Sequence, residues 1–442
     1  MLTRTQADAL PASQTLPADD LGTKTNDSIL IVAFHFPPIA TSSGMQRALK
    51  VVRYLREDGW RPAVLTVDPR AYAKSHSGQL AEIPADVPVH RAFGLDATRH
   101  FAIKGRYPGC LAWPDPWASW WPAAVLAGIR LIRRYRPKII WSTFPITTAN
   151  LVALALARWS GLPWVADLRD PITLDGYPAD PMRFRWARWV ERKTVAAART
   201  VVFTSEYTRR DYEERYPGLA GRTELIPNGY DEANFPETSG AAGAGGGPRL
   251  TLVHSGALQR QGRNPGAFFE ALKALKASGK ADASTLRVVL RASGFEREYR
   301  ELAERHGVAD LVELGGYLPY EQALREMVEA DGLLLFQGTA YNHAVPAKIY
   351  EYLFARRPVF ALVDERGETQ RVLTEIGIGS TARIDDAADI AARLERFLRD
   401  VRSGEYRLPD TAVLEQYSRR RQTLRLSALL RRIVAEEARR PA

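Results

Sequence analysis

Short unbroken apolar runs alternate along this chain with stretches in which apolar residues recur every three or four positions. SILIVAFHFPP (28–38) is a run closed by two prolines and reads as a buried strand passing into a loop. ATSSGMQRALKVVRYLREDGW (40–60) follows, with Ser42 and Ser43 as cap candidates, Gly44 at the turn, and Met45, Ala48, Leu49, Val52 and Leu55 at helical spacing. PAVLTV (62–67) is the next strand, so the chain opens as strand, loop, helix, strand, the start of a parallel α/β sheet.

The alternation predicts strands over 137–143, 163–170 and 200–205, helices over 149–159 and 182–199, and a closing segment, TELIPNGYDEANF (223–235). SGAAGAGGGP (239–248) then reads as a flexible linker. After it the pattern restarts. Strands are predicted over 249–258, 286–294, 311–319, 332–337 and 358–364, with helices over 265–277, 296–305, 320–329 and 367–376 and a long final helix near 412–438. The expected architecture is α/β, two Rossmann-like domains facing across a cleft, 28–238 and 249–411, with 412–442 as a helix packing back on the first domain. In such sheets ligands bind beyond the carboxyl ends of the strands, so the loops there are where chemistry is sought.

A chain of 442 residues exceeds one ordinary compact unit. The first 27 residues lack an apolar core and read as a polar tail, and no stretch reaches the roughly 20 unbroken apolar residues of a membrane span. The single cysteine, Cys110, cannot close an internal disulfide, which fits a reducing, cytoplasmic setting. Of the formal charge of +10, most arises between 101 and 200, where 15 Lys/Arg face 6 Asp/Glu. Two helical patterns there, 126–138 and 182–199, interleave arginine with Trp, Phe and Leu. Such a face can lie on an anionic membrane, at the inner face of the cell membrane, or be a solvated surface with snorkelling arginines. No nucleic-acid reader motif accompanies the charge.

The segment HAVPAKIYEYLFARRPV (343–359) carries the most specific chemistry. A helix starting at Pro346 loses no needed donor, and its free N–H groups form a seat for phosphate. Lys348 adds a point charge there, and Glu351, three residues on and on the same face, can accept from a vicinal diol such as that of a ribose. The bland alternative is a local ion pair on a surface helix, worth about 0.2–0.5 kcal/mol.

Together with FHFPPIATSSGMQR, PWVADLRDP, VVFTSEYTRRDY, IPNGYDEANF, HSGALQRQGRNP and GYLPYEQALREM, this segment resembles glycosyltransferase family 4, in the subgroup carrying VPxKxYEYL and DLRDP within the GT-B fold. The resemblance implies a nucleotide diphosphate-sugar donor held by the C-terminal domain, a glycan or lipid-linked acceptor held by the N-terminal one, and retention of anomeric configuration. It implies that Glu351 binds the ribose diol, that Arg263 and Lys348 meet the diphosphate, and that Gly256 lets backbone approach the phosphates. It further places the base near Tyr317 and Leu318 and makes Gly44 part of a loop closing over the donor. His343 stands where the family often has a second glutamate near the sugar, and is a catalytic candidate.

On the acceptor side, Asp167 and Asp170 end a predicted strand, where either can orient or deprotonate a hydroxyl, cap a helix or pair with Arg169. Asp167 is favoured because related enzymes place a functional His or Asp nearby. Asp115, in the aromatic loop AWPDPWASWW, and His35, at the end of the first strand, are further acceptor-side candidates, with core packing as the alternative. No metal-ligand spacing appears, so no metal or cofactor is expected. A hydrolysing nucleotide-sugar epimerase and a degenerate binding scaffold share the expected architecture and are the competing functions.

Overall fold

The computed structural model describes residues 27–39, 43–235 and 247–439. The polar tail apart from Asp27, the cap candidate Ser42 and the glycine-rich stretch apart from Gly247 and Pro248 lie outside the described residues.

In the first half the strands are β1 (Ser28–Ala33), β2 (Arg61–Val67), β3 (Val89–Ala92), β4 (Ile139–Thr143), β5 (Trp164–Leu168), β6 (Thr200–Phe203) and β7 (Thr223–Leu225). They form one parallel sheet in the order β3-β2-β1-β4-β5-β6-β7. Its helices are α1 (Ser43–Glu57), α2 (Ala97–His100), α3 (Trp120–Tyr135), α4 (Thr147–Ser160), α5 (Pro181–Ala197) and α6 (Glu206–Arg215). Helices α3, α4 and α5 pack on one face around Ala124, Val152 and Ala187, while α1 covers the other around Met45 and Leu49. With both faces covered, the central strands are continuous apolar runs, the feature that made them legible.

The second half holds β8 (Leu250–Ser255), β9 (Leu286–Arg291), β10 (Val312–Gly315), β11 (Gly332–Gln337), β12 (Val359–Val363) and β13 (Thr381–Arg383), parallel in the order β10-β9-β8-β11-β12-β13. Around them lie α7 (Gly266–Ala277), α8 (Glu296–His306), α9 (Tyr320–Glu329), α10 (Lys348–Phe354), α11 (Glu368–Glu375) and α12 (Ala387–Ser403). The chain ends in α13 (Thr411–Glu415) and α14 (Arg419–Ala438).

The single final helix expected over 412–438 is thus two. At the break the backbone pairs sideways: Tyr230 N–H donates to Tyr417 C=O at 3.1 Å and Arg419 N–H to Tyr230 C=O at 2.7 Å. Those groups cannot also close helical turns, so a new helix starts with Ser418 as its cap. The two chain crossings touch closely, since a Cβ on Gly229 would lie 2.1 Å from the Tyr417 carbonyl oxygen. Beyond the crossing α14 returns to the first sheet, burying Leu426, Leu430 and Ile433 against the α1 core, with Trp60 Nε1 donating to Ser427 Oγ at 2.7 Å.

A second contact joins the two halves near the cleft. Ser205 Oγ and Thr208 Oγ1 donate to the His343 carbonyl at 2.7 and 3.0 Å, and Glu368 accepts from the Glu206 N–H at 2.8 Å. The start of α6 is therefore held by the second sheet's loops, which sets the two strand edges facing each other.

Candidate functional site

At the carboxyl edge of the second sheet, the loop after β8 and the start of α10 come together. His254, fully buried at the end of β8, has its Nδ1 2.8 Å from the Leu334 carbonyl. A carbonyl only accepts, so Nδ1 carries the proton and Nε2 is left to accept from Lys348 Nζ at 3.2 Å. Burial, then the charge on Lys348, hold His254 well below the usual histidine range, so it stays neutral. Gly256 completes the seat: its φ is +105°, and a Cβ there would lie 3.1 Å from Lys348 Nζ. No other residue type takes that conformation at so close an approach without strain.

Burial, then the like charge of Arg263, lower the Lys348 ammonium to about 7, against the opposing pull of Glu351. Arg263 donates from Nε to Gln337 Oε1 at 2.9 Å, and its guanidinium lies 4.3 Å from the centre of the Tyr341 ring. Two cations are thus fixed side by side in partial burial, an arrangement that an anion between them would stabilise.

Glu351 does not form the local pair with Lys348. Its Oε1 accepts from Tyr320 Oη at 2.7 Å, and among the described residues its second oxygen accepts no hydrogen bond. Burial raises its pKa against the Tyr320 bond and the charges of Arg419 and Lys348. The surface ion-pair alternative therefore fails: the lysine sits on His254, the carboxylate on Tyr320, and one carboxylate oxygen is left for a donor. The helix does not start at Pro346 as expected: α10 begins at Lys348, and Pro346 lies two residues ahead of it. The proline carbonyl accepts from Ile349 N–H at 3.2 Å, closing a tight turn before the helix. With seven residues α10 has a weak dipole, so side-chain charge carries most of the site's positive field.

Tyr317 and Leu318 lie in the loop between β10 and α9, Tyr317 well exposed, directly before the Tyr320 that holds Glu351. His343 is fixed by its carbonyl to Ser205 and Thr208. Burial lowers its ring's pKa against the charges of Asp170 and Asp211.

Across the gap, the choice between the DLRD carboxylates is reversed. Asp167 is fully buried, bound by Arg47 Nε and Nη2 at 2.8 Å each and by Thr143 Oγ1 at 3.0 Å. Its oxygens tie β5 to α1 and β4, and it has no access to an acceptor. Asp170, two residues past the end of β5, is half-buried, acts electrostatically on both Arg263 and His343, and among the described residues makes no side-chain hydrogen bond. Asp115 is also structural. It is buried and accepts from the backbone N–H and hydroxyl of Thr148 and from Trp117 N–H, so it caps the start of α4. Gly44 lies in the first turn of α1, where a Cβ would stand 2.3 Å from Arg169 Nη1. The missing side chain at 44 thus leaves room for that guanidinium. His35 is half-buried beside the same glycine, with Nδ1 unpartnered, and burial, then Arg169, lower its pKa to about 4.

Sequence reasoning missed His254, Gln337, Tyr341, Tyr320 and Arg419. Arg419, the first residue of α14, is buried and acts on Tyr320 and Glu351 from the returning segment. Its signal was absent because it arrives from the far end of the chain. Among the described residues no three metal-ligating side chains converge, and no helix is long and apolar enough to cross a membrane. A groove of about 390 Å³ lies beside the α6 contact, lined by Glu206, Arg210, Asp211, Arg366 and Arg371 among others. It carries both signs of charge and none of Lys348, Arg263, Glu351 or Asp170.

Two parallel sheets set edge to edge, with cations and a carboxylate at their facing ends, are the GT-B architecture. The fold is similar to that of sucrose-phosphate synthase from Thermosynechococcus elongatus (TM-score 0.64, 16% identity, covering 93% of this chain and 100% of that one). It is also similar to HepE from Anabaena in complex with UDP and glucose (0.62, 15%, 91% and 99%) and to a UDP-N-acetylglucosamine 2-epimerase (0.56, 13%, 95% and 99%). In sequence, residues 43–229 match the family described as a glycosyl transferase 4-like domain. No curated protein sequence matches the chain significantly.

Proposed function

We propose that the protein is a glycosyltransferase that moves a sugar, with retention, from a nucleotide diphosphate-sugar to a hydroxyl acceptor, at the cytoplasmic side and in glycan or polysaccharide synthesis. The observation that carries this reading is the convergence of Lys348, Arg263 and the half-satisfied Glu351 at one strand edge, with Asp170 facing them from the other. Breaking a sugar–phosphate bond develops negative charge on the diphosphate, and Lys348 and Arg263 are fixed cations that stabilise it. Glu351 Oε2 accepts from the ribose diol while Tyr320 holds Oε1. The solved HepE complex supports a uridine diphosphate donor for a chain of this fold.

The test is a panel of UDP-, GDP- and ADP-sugars incubated with the protein, following slow release of free sugar without acceptor. A nucleotide-linked isomer would instead indicate an epimerase, whose solved representative shares the fold at a lower TM-score. No turnover and no binding would leave a scaffold.

Two variants examine the site within this reading. Glu351→Ala is expected to weaken binding of the selected nucleotide-sugar about thirtyfold or more, the worth of at least one charge-assisted hydrogen bond. Its melting temperature should change little, because a buried carboxylate with a raised pKa is no strong stabiliser. Unchanged affinity by calorimetry rejects the ribose assignment. Asp170→Asn is expected to keep donor affinity and lose roughly a hundredfold in kcat, the usual worth of a positioned acid or base. A fall in donor affinity with unchanged kcat would assign Asp170 to donor binding instead.

A further inference from the structure

We propose that the outer surface of the α3, α4 and α5 layer docks on an anionic lipid bilayer. Helix α5 buries Ala187, Val190, Thr194 and Val195 and turns Met182, Trp186 and Trp189 outward, spaced four and three residues apart in one stripe. The two indoles are both 41% exposed, with ring centres 5.8 Å apart, edge to face. Arg185, Arg188 and Arg192 flank them, all exposed. Helix α3 repeats the pattern with Trp121 and Leu126 outward, and Arg133 reaches over to the exposed Trp159 of α4, 5.4 Å from its ring centre. Since α3 packs on α4 and α4 on α5, these side chains share one surface.

The charges on this layer are set for an external partner. The three helices carry nine Lys/Arg and one carboxylate, Glu191, which is buried and held by Tyr212, Tyr216 and Arg215. Among the described residues none of the nine cations is in an ion pair. Helices elsewhere neutralise their arginines locally, as in Arg209 with Glu206, Arg371 with Glu375 and Arg393 with Asp389. A surface of tryptophan and leucine ringed by unneutralised arginine matches a headgroup region, where indoles sit at the interface, arginine stems snorkel and anionic lipids supply countercharge. The apolar side chains are spread over three helices, which suits a fluid surface better than the concave site of one protein ligand, and their number argues against nucleic acid. In a parallel sheet the starts of these helices lie at the strands' carboxyl edge, so Trp121 and Met182 stand on the side of Asp170 and a docked bilayer would border the cleft. The inference does not depend on the sugar-transfer reading.

The experiment is co-sedimentation of the full chain with vesicles of phosphatidylcholine alone and with one third phosphatidylglycerol, with tryptophan emission followed in parallel. Expected are binding to the anionic vesicles, a blue shift on binding, and loss of both in high salt. Arg185→Gln/Arg188→Gln/Arg192→Gln should reduce partitioning by about a hundredfold, at roughly fivefold per charge near the surface. Trp186→Ser/Trp189→Ser should reduce binding and remove most of the blue shift with the charge intact. Melting temperature and nucleotide-sugar binding of these variants, read in solution, should be unchanged, so loss of vesicle binding is separable from failure of the donor site. Equal binding to neutral vesicles, variants that bind like the parent, or variants that instead abolish self-association or RNA binding would overturn the proposal.

Discussion

Asp167→Ala is expected to lower the unfolding free energy by about 3–5 kcal/mol, the cost of leaving a buried charge without its partner. Arg47 is only 5% exposed, and with Asp167 removed it keeps just the carbonyls of Ile226 and Pro227 as acceptors, at 3.1 and 2.9 Å. Thr143 loses an acceptor as well. Because the pair ties α1 to β5, the loss should appear as a lower urea midpoint with an unchanged slope. The double variant Arg47→Met/Asp167→Leu should recover most of the stability, since apolar groups of similar size replace a buried pair at little net cost. An Asp167→Ala protein with the parent's midpoint and a slowed reaction would restore the aspartate to the acceptor site.

The second large effect is a pH dependence of nucleotide-sugar binding carried by Lys348. In the free protein its ammonium titrates at about 7, lowered by burial and by Arg263. A diphosphate between the two cations favours the charged form, so binding raises that pKa toward the ordinary lysine value. Above pH 7 the free protein must then take up a proton to bind. Affinity should be nearly flat below pH 7 and fall about tenfold per unit from there up to the pKa of the complex, with uptake approaching one proton. A nucleotide-sugar serves as the probe, because its diphosphate has no titration of its own in this range. Calorimetry at pH 8 in two buffers of different ionisation enthalpy reads the uptake directly. Lys348→Met should bind about a hundredfold more weakly at pH 6.5 and lose the slope, as expected for a charge-assisted contact. A parent protein whose affinity is independent of pH between 7 and 9 would contradict this seat for the diphosphate.

These two residues mark how far the chain could be read before its structure. Lys348 and Glu351 were legible from their spacing on one helix face, Arg263 and Gly256 only through the family resemblance of their segment, and the fold brings all four to one strand edge. Asp167 and Asp170 are equivalent by composition and by position after an apolar run. What separates them is Arg47, which stands 120 residues from Asp167. No local pattern encodes that pairing. The same holds for Tyr320 with Glu351 and for His254 with Lys348, which stand 31 and 94 positions apart.

Among the elements, α12 lies in a stretch for which no element is predicted, yet it carries Ile390, Leu394, Phe397 and Val401 at helical spacing behind an Asp386 cap, a pattern legible in the sequence. β3 (VHRA) and β13 (TAR) could not. Each is a short edge strand with few apolar residues, defined only by the neighbour it pairs with.

By itself, then, the sequence determined two parallel sheets, because strands covered on both faces must be apolar throughout, and it determined a cationic segment at the start of α10. The tertiary structure alone decided which carboxylate reaches the cleft, which hydroxyl and imidazole hold Glu351 and Lys348, and where the final helix breaks. Side-chain direction at a strand end and contacts between distant segments depend on how the elements stack, and that is set by the packing of the whole core.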